Sequence, residues 1–255
     1  MTDGGRAVVF GRDAAAYEAG RPVYPDSAIA EILGLVAARE VVEVGAGTGI
    51  ATALVARDGL RIVCVEPSAE MAGILREKGL PGVDVVVERF EDWEFQPGTA
   101  DLVFAAQAWH WIDTDTGFPK VMSLLRHGGA IALMWNIPRN RYDRHEEIYG
   151  RLAPHLLEES DERIHRRDNH DWEKDMLAAG LVDTRKSSFS WSQELTADQY
   201  RALYATYSDH IMLPEPNRTA LLDALAADVR EWGGTGIIEY DTVVFSGTNH
   251  VPDRR

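Results

Sequence analysis

Cysteine occurs once in the 255 residues, at Cys64. A lone cysteine forms no disulfide within its chain, which excludes a disulfide-stapled fold and leads us to expect a reducing, cytoplasmic setting. Because Cys64 sits in an apolar run, its expected role is that of a small buried hydrophobe and not of a reactive thiol. Long apolar runs are missing too. None approaches the roughly 20 residues of a membrane helix, and the N-terminus lacks a basic, apolar, small-residue leader. Basic side chains are scarce: 26 Lys and Arg stand against 41 Asp and Glu, for a formal charge of −15. That balance argues against a nucleic-acid partner, since phosphate backbones are gripped by dense Lys and Arg. The one basic cluster, Arg163 to Arg167, reads as a solvated helix end. The eight histidines show no H-E-x-x-H spacing, and no G-x-S-x-G elbow occurs. Asp101, Asp113 and Asp115 lie close in sequence but have no second ligand cluster, so no metal is expected.

What the chain does have is one segment of unusual information content. Val41-Val42-Glu43-Val44 is a short, mostly β-branched run, and Gly45-Ala46-Gly47-Thr48-Gly49 follows with glycines at alternating positions. A helix-like stretch, Ile50 to Ala56, comes next. This order predicts a buried parallel strand, a tight turn and a helix start. A helix start offers unpaired N–H groups to a polar ligand, so the unit predicts a nucleotide-type cofactor site in a doubly wound α/β fold. The spacing is neither the G-x-G-x-x-G of dinucleotide sites nor a P-loop, which needs a Lys after its last Gly. Glu66 closes the next apolar run, Arg61 to Val65, and lies 21 positions after Gly45. That is close to the offset of an acid that hydrogen-bonds a ribose diol.

With these residues in view, the chain resembles the class I S-adenosylmethionine (SAM) methyltransferases, whose first motif is E/D-x-G-x-G-x-G. Further elements follow in the family's order. Val83–Val87 reads as a third strand, followed by Glu88-Arg89-Phe90-Glu91-Asp92-Trp93 where the family places its adenine contacts. Ala100–Ala105 reads as a fourth strand, and Ala130–Trp135, after Gly128-Gly129, as a fifth. Two stretches, Phe10 to Pro25 and Gln107-Ala108-Trp109-His110-Trp111, are similar to the trans-aconitate-methyltransferase-like (type 11) branch. The resemblance implies a Rossmann-like, doubly wound, seven-stranded sheet, mostly parallel with an antiparallel last strand, and a helical lid. It implies SAM as cofactor and S-adenosylhomocysteine as its product. The implied cofactor residues are Tyr17, Arg21, Glu43, Gly45, Ala46, Gly47, Gly49, Glu66, Pro67, Met71, Phe90, Glu91 and Gln107. Arg89-Phe90 departs from the family's usual small residue and Asp, so either Phe90 or Glu91 meets the adenine. Tyr17 and Arg21 would close over the methionine end; the alternative for Arg21 and Tyr24 is an ordinary turn.

The rest of the chain reads as one domain in three parts. Residues 1–40 supply helices over the cofactor, with Asp13–Ala19 and Asp26–Ala38 helical around Pro22 and Pro25. Residues 41–136 are the core. Residues 137–255 mix the last strands, Thr184–Trp191 and Ile237–Phe245, with helices over 141–159, 171–179, 196–210 and 217–232. The helical stretches have no room for an independent domain, and a lid over the strand ends is expected.

The acceptor side is expected around Trp109, His110, Trp111, Trp135, Tyr142, Tyr204 and Tyr207. Large rings at strand ends must pack, either between core and lid or on a small, partly apolar acceptor. His110 has two readings. It is a general base if the acceptor is a hydroxyl or amine, or a packed residue, with no base needed, if the acceptor is a carboxylate. The expected activity is methyl transfer to an oxygen, nitrogen or carboxylate of a small molecule, by a monomer or homodimer. The alternative is a protein of the same fold that binds SAM or S-adenosylhomocysteine but acts as a cyclase or a non-methylating binder.

Overall fold

A computed structural model describes residues 14–139, 145–157 and 170–250. The expected positions Phe10–Asp13, Tyr142 and the Arg163–Arg167 cluster lie outside them. Two helices open the described chain, α1 (Ala14–Gly20) and α2 (Asp26–Gly34), separated by the Pro22–Pro25 segment. The α/β unit follows as β1 (Glu40–Val44), α3 (Ile50–Val55), β2 (Arg61–Val65), α4 (Ala69–Glu77), β3 (Val83–Val86), β4 (Ala100–Ala106), α5 (Thr114–Leu124) and β5 (Leu125–Pro138). The chain ends with α6 (Glu146–Leu152), α7 (Trp172–Ala178), β6 (Val182–Thr196), α8 (Ala197–Ala205), α9 (Ser208–Ile211), α10 (Asn217–Glu231) and β7 (Thr235–Thr248).

The seven strands form one sheet in the order β3-β2-β1-β4-β5-β7-β6. The first five pair in parallel, and β7 runs antiparallel between β5 and β6. The expected seven-stranded sheet with an antiparallel last strand is therefore present. Its order reverses between β1 and β4. Connections leave these two strands in opposite directions, which opens a crevice at their carboxyl ends. The glycine loop after β1 and the Gln107 segment after β4 face each other across that crevice.

Two apolar clusters cover the faces of the sheet. One gathers Trp109, Phe118, Trp135 and Trp172, and the other Ile32, Val41, Leu75 and Phe104. Cys64 is fully buried, as expected. The acids that could have suggested a metal have structural work. Asp101 Oδ2 accepts the backbone N–H groups of Arg39 and Glu40, both at 2.9 Å, while Oδ1 pairs with Arg126 at 2.7 Å. Asp113 caps α5 through the N–H of Asp115. Among the described residues no cluster fit to hold a metal occurs, and no helix is long and apolar enough to cross a membrane.

The lid has a core of its own. α6, α8 and α10, with the far ends of β6 and β7, bury Tyr149, Tyr200, Leu203, Leu221, Leu225 and Tyr240 together. The single helix expected over 196–210 is two helices. Thr196 and Gln199 close a capping box at the start of α8. At its end Thr206 Oγ1 donates to the Leu203 carbonyl at 2.6 Å. This side-chain bond competes with the helical ladder, and the chain turns before α9.

Candidate functional site

A cavity of about 260 Å³ lies in the crevice between β1 and β4. The glycine loop forms one wall. Gly47 holds φ at +58°, and a Cβ there would point into open space, with only Met71 Sδ near at 3.9 Å. The Gly47 N–H donates to Glu66 Oε2 at 2.8 Å, and the Ser68 N–H donates to Oε1 at 2.8 Å. Glu66 is 5% exposed, and burial pushes its carboxyl above the usual range. β2 thus ends by presenting an acid to the loop that follows β1.

Beneath the loop, Glu43 is buried within β1. Its Oε2 accepts from Thr52 Oγ1 at 2.5 Å and from Cys64 Sγ at 3.7 Å. Burial raises its pKa from 4.5 to about 8, against the lowering effect of the two hydrogen bonds. At neutral pH this floor is largely a neutral carboxylic acid.

Arg21 closes the opposite side. Its guanidinium stands 4.9 Å from the Tyr17 ring centre and 5.1 Å from that of Tyr207, a cation between two aromatic faces. Nη2 donates to the Thr206 carbonyl at 2.8 Å, tying the N-terminal segment to the lid. Nε is buried and meets no acceptor among the described residues.

Phe90 and Glu91 both border the cavity. Phe90 is 2% exposed and packs on Trp109, with ring centres 6.1 Å apart. Glu91 pairs with Arg89 at 3.1 Å. Lys120 pins this loop by donating to the carbonyls of Glu91 and Trp93 at 2.8 and 2.6 Å. Across the crevice, Gln107 takes φ of +56°, unusual for a residue with a side chain. Its Nε2 donates to the Asn136 carbonyl at 3.0 Å, which holds the turn open after β4.

All the residues expected around the cofactor border this cavity except Gly49. A side chain at Gly49 would strike Leu75 of α4, so that glycine serves helix packing. On the acceptor side, His110, Trp111 and Tyr207 border the cavity, and Trp109, Trp135 and Tyr204 do not. Trp109 is fully buried and packs on Phe118 at 5.0 Å. Trp135 stacks on Trp172 at 5.2 Å. Tyr204 lies in the lid core, where its hydroxyl accepts from Tyr200 at 2.9 Å. Each packs on these protein neighbours instead of lining the cavity. Sequence reasoning missed Asn136, Ile112 and Tyr240, which also border the cavity. Only Asn136 left a signal: a polar residue at the end of the apolar run of β5. It donates to the Val23 carbonyl and accepts from Thr242.

Comparison with known proteins agrees with this geometry. A family profile described as a methyltransferase domain matches residues 42–133. An uncharacterised methyltransferase of Mycobacterium tuberculosis is 33% identical over 214 residues, which cover 84% of this chain and 82% of the relative. A trans-aconitate 2-methyltransferase of Delftia acidovorans is 29% identical over 124 residues, covering 47% of this chain and 45% of that one. Among solved structures, a protein of Anaeromyxobacter dehalogenans provisionally assigned as a type II methyltransferase superposes with a TM-score of 0.67. It is 21% identical, over 90% of this chain and 98% of its own. By sheet order, glycine loop and this kinship, the chain belongs to the class I methyltransferases.

Proposed function

We propose that the protein uses SAM to methylate a small molecule at an oxygen, a nitrogen or a carboxylate. The observation that carries this reading is one cavity shared by two kinds of wall. Gly47 and Glu66 stand on one side, and the His110–Trp111–Ile112 turn on the other. The first wall suits the cofactor. Glu66 at the cavity edge supports a contact with ribose hydroxyls, and the space beyond Gly47 supports a ligand close to the backbone. Arg21, with its unsatisfied Nε, suits a carboxylate such as the cofactor's methionine end. Phe90 offers an apolar surface to adenine.

SAM supplies an activated methyl group when bound. The protein's part is to hold donor and acceptor in line and to keep water out. Orientation of this kind is worth on the order of 7–11 kcal/mol in ideal cases. Trp111 and Ile112 give the acceptor wall an apolar character, which supports a partly apolar acceptor.

The test is acceptor-dependent formation of S-adenosylhomocysteine from SAM, over a panel of small acids, alcohols and amines. The name of the Delftia relative makes trans-aconitate one member of that panel. Turnover with any member supports the proposal. Tight S-adenosylhomocysteine binding without turnover on a broad panel would favour a non-methylating binder or a cyclase.

A further inference from the structure

Lys120 lies within α5, and one atom of it engages four residues of the loop after β3. Its Nζ donates to the Glu91 carbonyl at 2.8 Å and to the Trp93 carbonyl at 2.6 Å. The same atom stands 5.4 Å from the ring centres of Phe90 and of Phe95, within reach of both π-faces. The loop carries Glu88, Glu91, Asp92 and Glu94, and like charges spaced this closely repel one another. Arg89 pairs with Glu91 at 3.1 Å and with Asp92 at 3.8 Å from inside the loop. Lys120 comes from outside it, on a helix anchored to the sheet through the buried Phe118, Val121 and Leu124. Arg89, Phe90 and Glu91 border the cavity, and Lys120 stands behind them.

We propose that Lys120 is a positioning residue for cofactor selectivity: by holding the 90–95 loop it fixes where Phe90 and Glu91 meet the base, so that the site favours adenine over a 6-oxo purine. Adenine presents an amino donor at C6 and a bare N1. Hypoxanthine presents a carbonyl and an N–H at those places. A site built to pair with one pattern rejects the other because its polar groups are left unpaired. That holds while the loop keeps its shape, since a wall free to shift can re-pair with either base. The selectivity rests on the SAM reading; the hold on the loop does not.

Amide exchange in the ligand-free full chain reads the hold on the loop. The N–H groups of Asp92 and Trp93 donate to the Arg89 carbonyl at 3.1 and 3.0 Å. Both should exchange at least about tenfold faster in Lys120→Met, and Lys120→Arg, which keeps charge and donors, should restore most of the protection. Unchanged exchange in Lys120→Met overturns the hold. Calorimetry with S-adenosylhomocysteine and S-inosylhomocysteine reads the selectivity. Wild type should prefer the adenine ligand by at least about tenfold. Lys120→Met should bring the two affinities within about threefold, mainly by weakening S-adenosylhomocysteine, and Lys120→Arg should recover the preference. Equal affinities in the wild type overturn the selectivity even if Lys120→Met fails to fold, in which case Lys120→Gln is read in its place. A preference that survives in the variant while both affinities fall together also overturns it, since a merely structural lysine would give that result. Wild type that binds neither ligand, with the exchange result intact, would fault the SAM reading and the selectivity with it, and leave the hold on the loop standing.

Discussion

Glu66 reaches from the end of β2 to the backbone of Gly47, with Oε2 2.8 Å from its N–H. One carboxylate therefore fixes the conformation of the glycine loop and faces the cavity beside it. Charge-assisted hydrogen bonds of this type contribute about 1.5–3 kcal/mol each. We expect Glu66→Gln to weaken SAM binding about tenfold and Glu66→Ala about 100-fold. Calorimetric titration checks both. Affinity unchanged in Glu66→Ala would remove Glu66 from the cofactor site.

Arg21 offers a second, independent handle. Arg21→Met keeps an aliphatic stem between Tyr17 and Tyr207 but removes the charge and the bond to the Thr206 carbonyl. SAM affinity should fall by about 10- to 100-fold if Arg21 grips the methionine carboxylate. If it grips only the acceptor, SAM affinity should hold and the acceptor KM should rise. A variant with both values at wild-type level would reduce Arg21 to a turn residue.

Glu43 predicts an inverted pH dependence. Burial raises its pKa from 4.5 to about 8 in the folded chain, so the folded state holds a proton that the unfolded state has released. The stability this contributes is fully present below about pH 4.5 and is lost as pH rises toward 8. One such proton gives a slope of at most about 1.4 kcal/mol per pH unit. Denaturant melts between pH 5 and 8 should show stability falling with pH, and Glu43→Gln should flatten that slope. An equal slope in the variant would show that Glu43 does not govern it.

The lid should behave as a folded unit. Leu225 is fully buried in the lid core, and Leu225→Ala should cost about 2–5 kcal/mol. Amide exchange in α8 and α10 should be slow without any ligand. Fast exchange there that slows only when cofactor and acceptor are present would show instead a lid that orders on binding.

The glycine loop and the acid after β2 were legible because their geometry is local. The strand, the turn and the offset to Glu66 are all carried within some 25 residues. The aromatic residues were harder. Trp109 and Trp111 sit in one three-residue 3₁₀ turn, so they point different ways, and nothing in sequence says which meets the core. Trp135 and Tyr204 were assigned to the acceptor, yet their neighbours are Trp172 and Tyr200, contacts set by the tertiary fold. Gly49 belongs to the motif by spacing, but its partner, Leu75, lies on another helix. Tyr240 reaches the cavity from β7, more than a hundred residues beyond the cofactor motifs, and no local pattern marks it.

The central claim, a SAM site built on the glycine loop, is tested most directly by calorimetric titration of S-adenosylhomocysteine into wild type and Gly47→Val. Gly47 holds a positive φ and faces open cavity. A branched side chain there strains the loop and fills ligand space. The account predicts one site per chain in the wild type and no detectable binding in a folded Gly47→Val, with NAD inert toward both. Tight binding of NAD by the wild type, with none of S-adenosylhomocysteine, would contradict it.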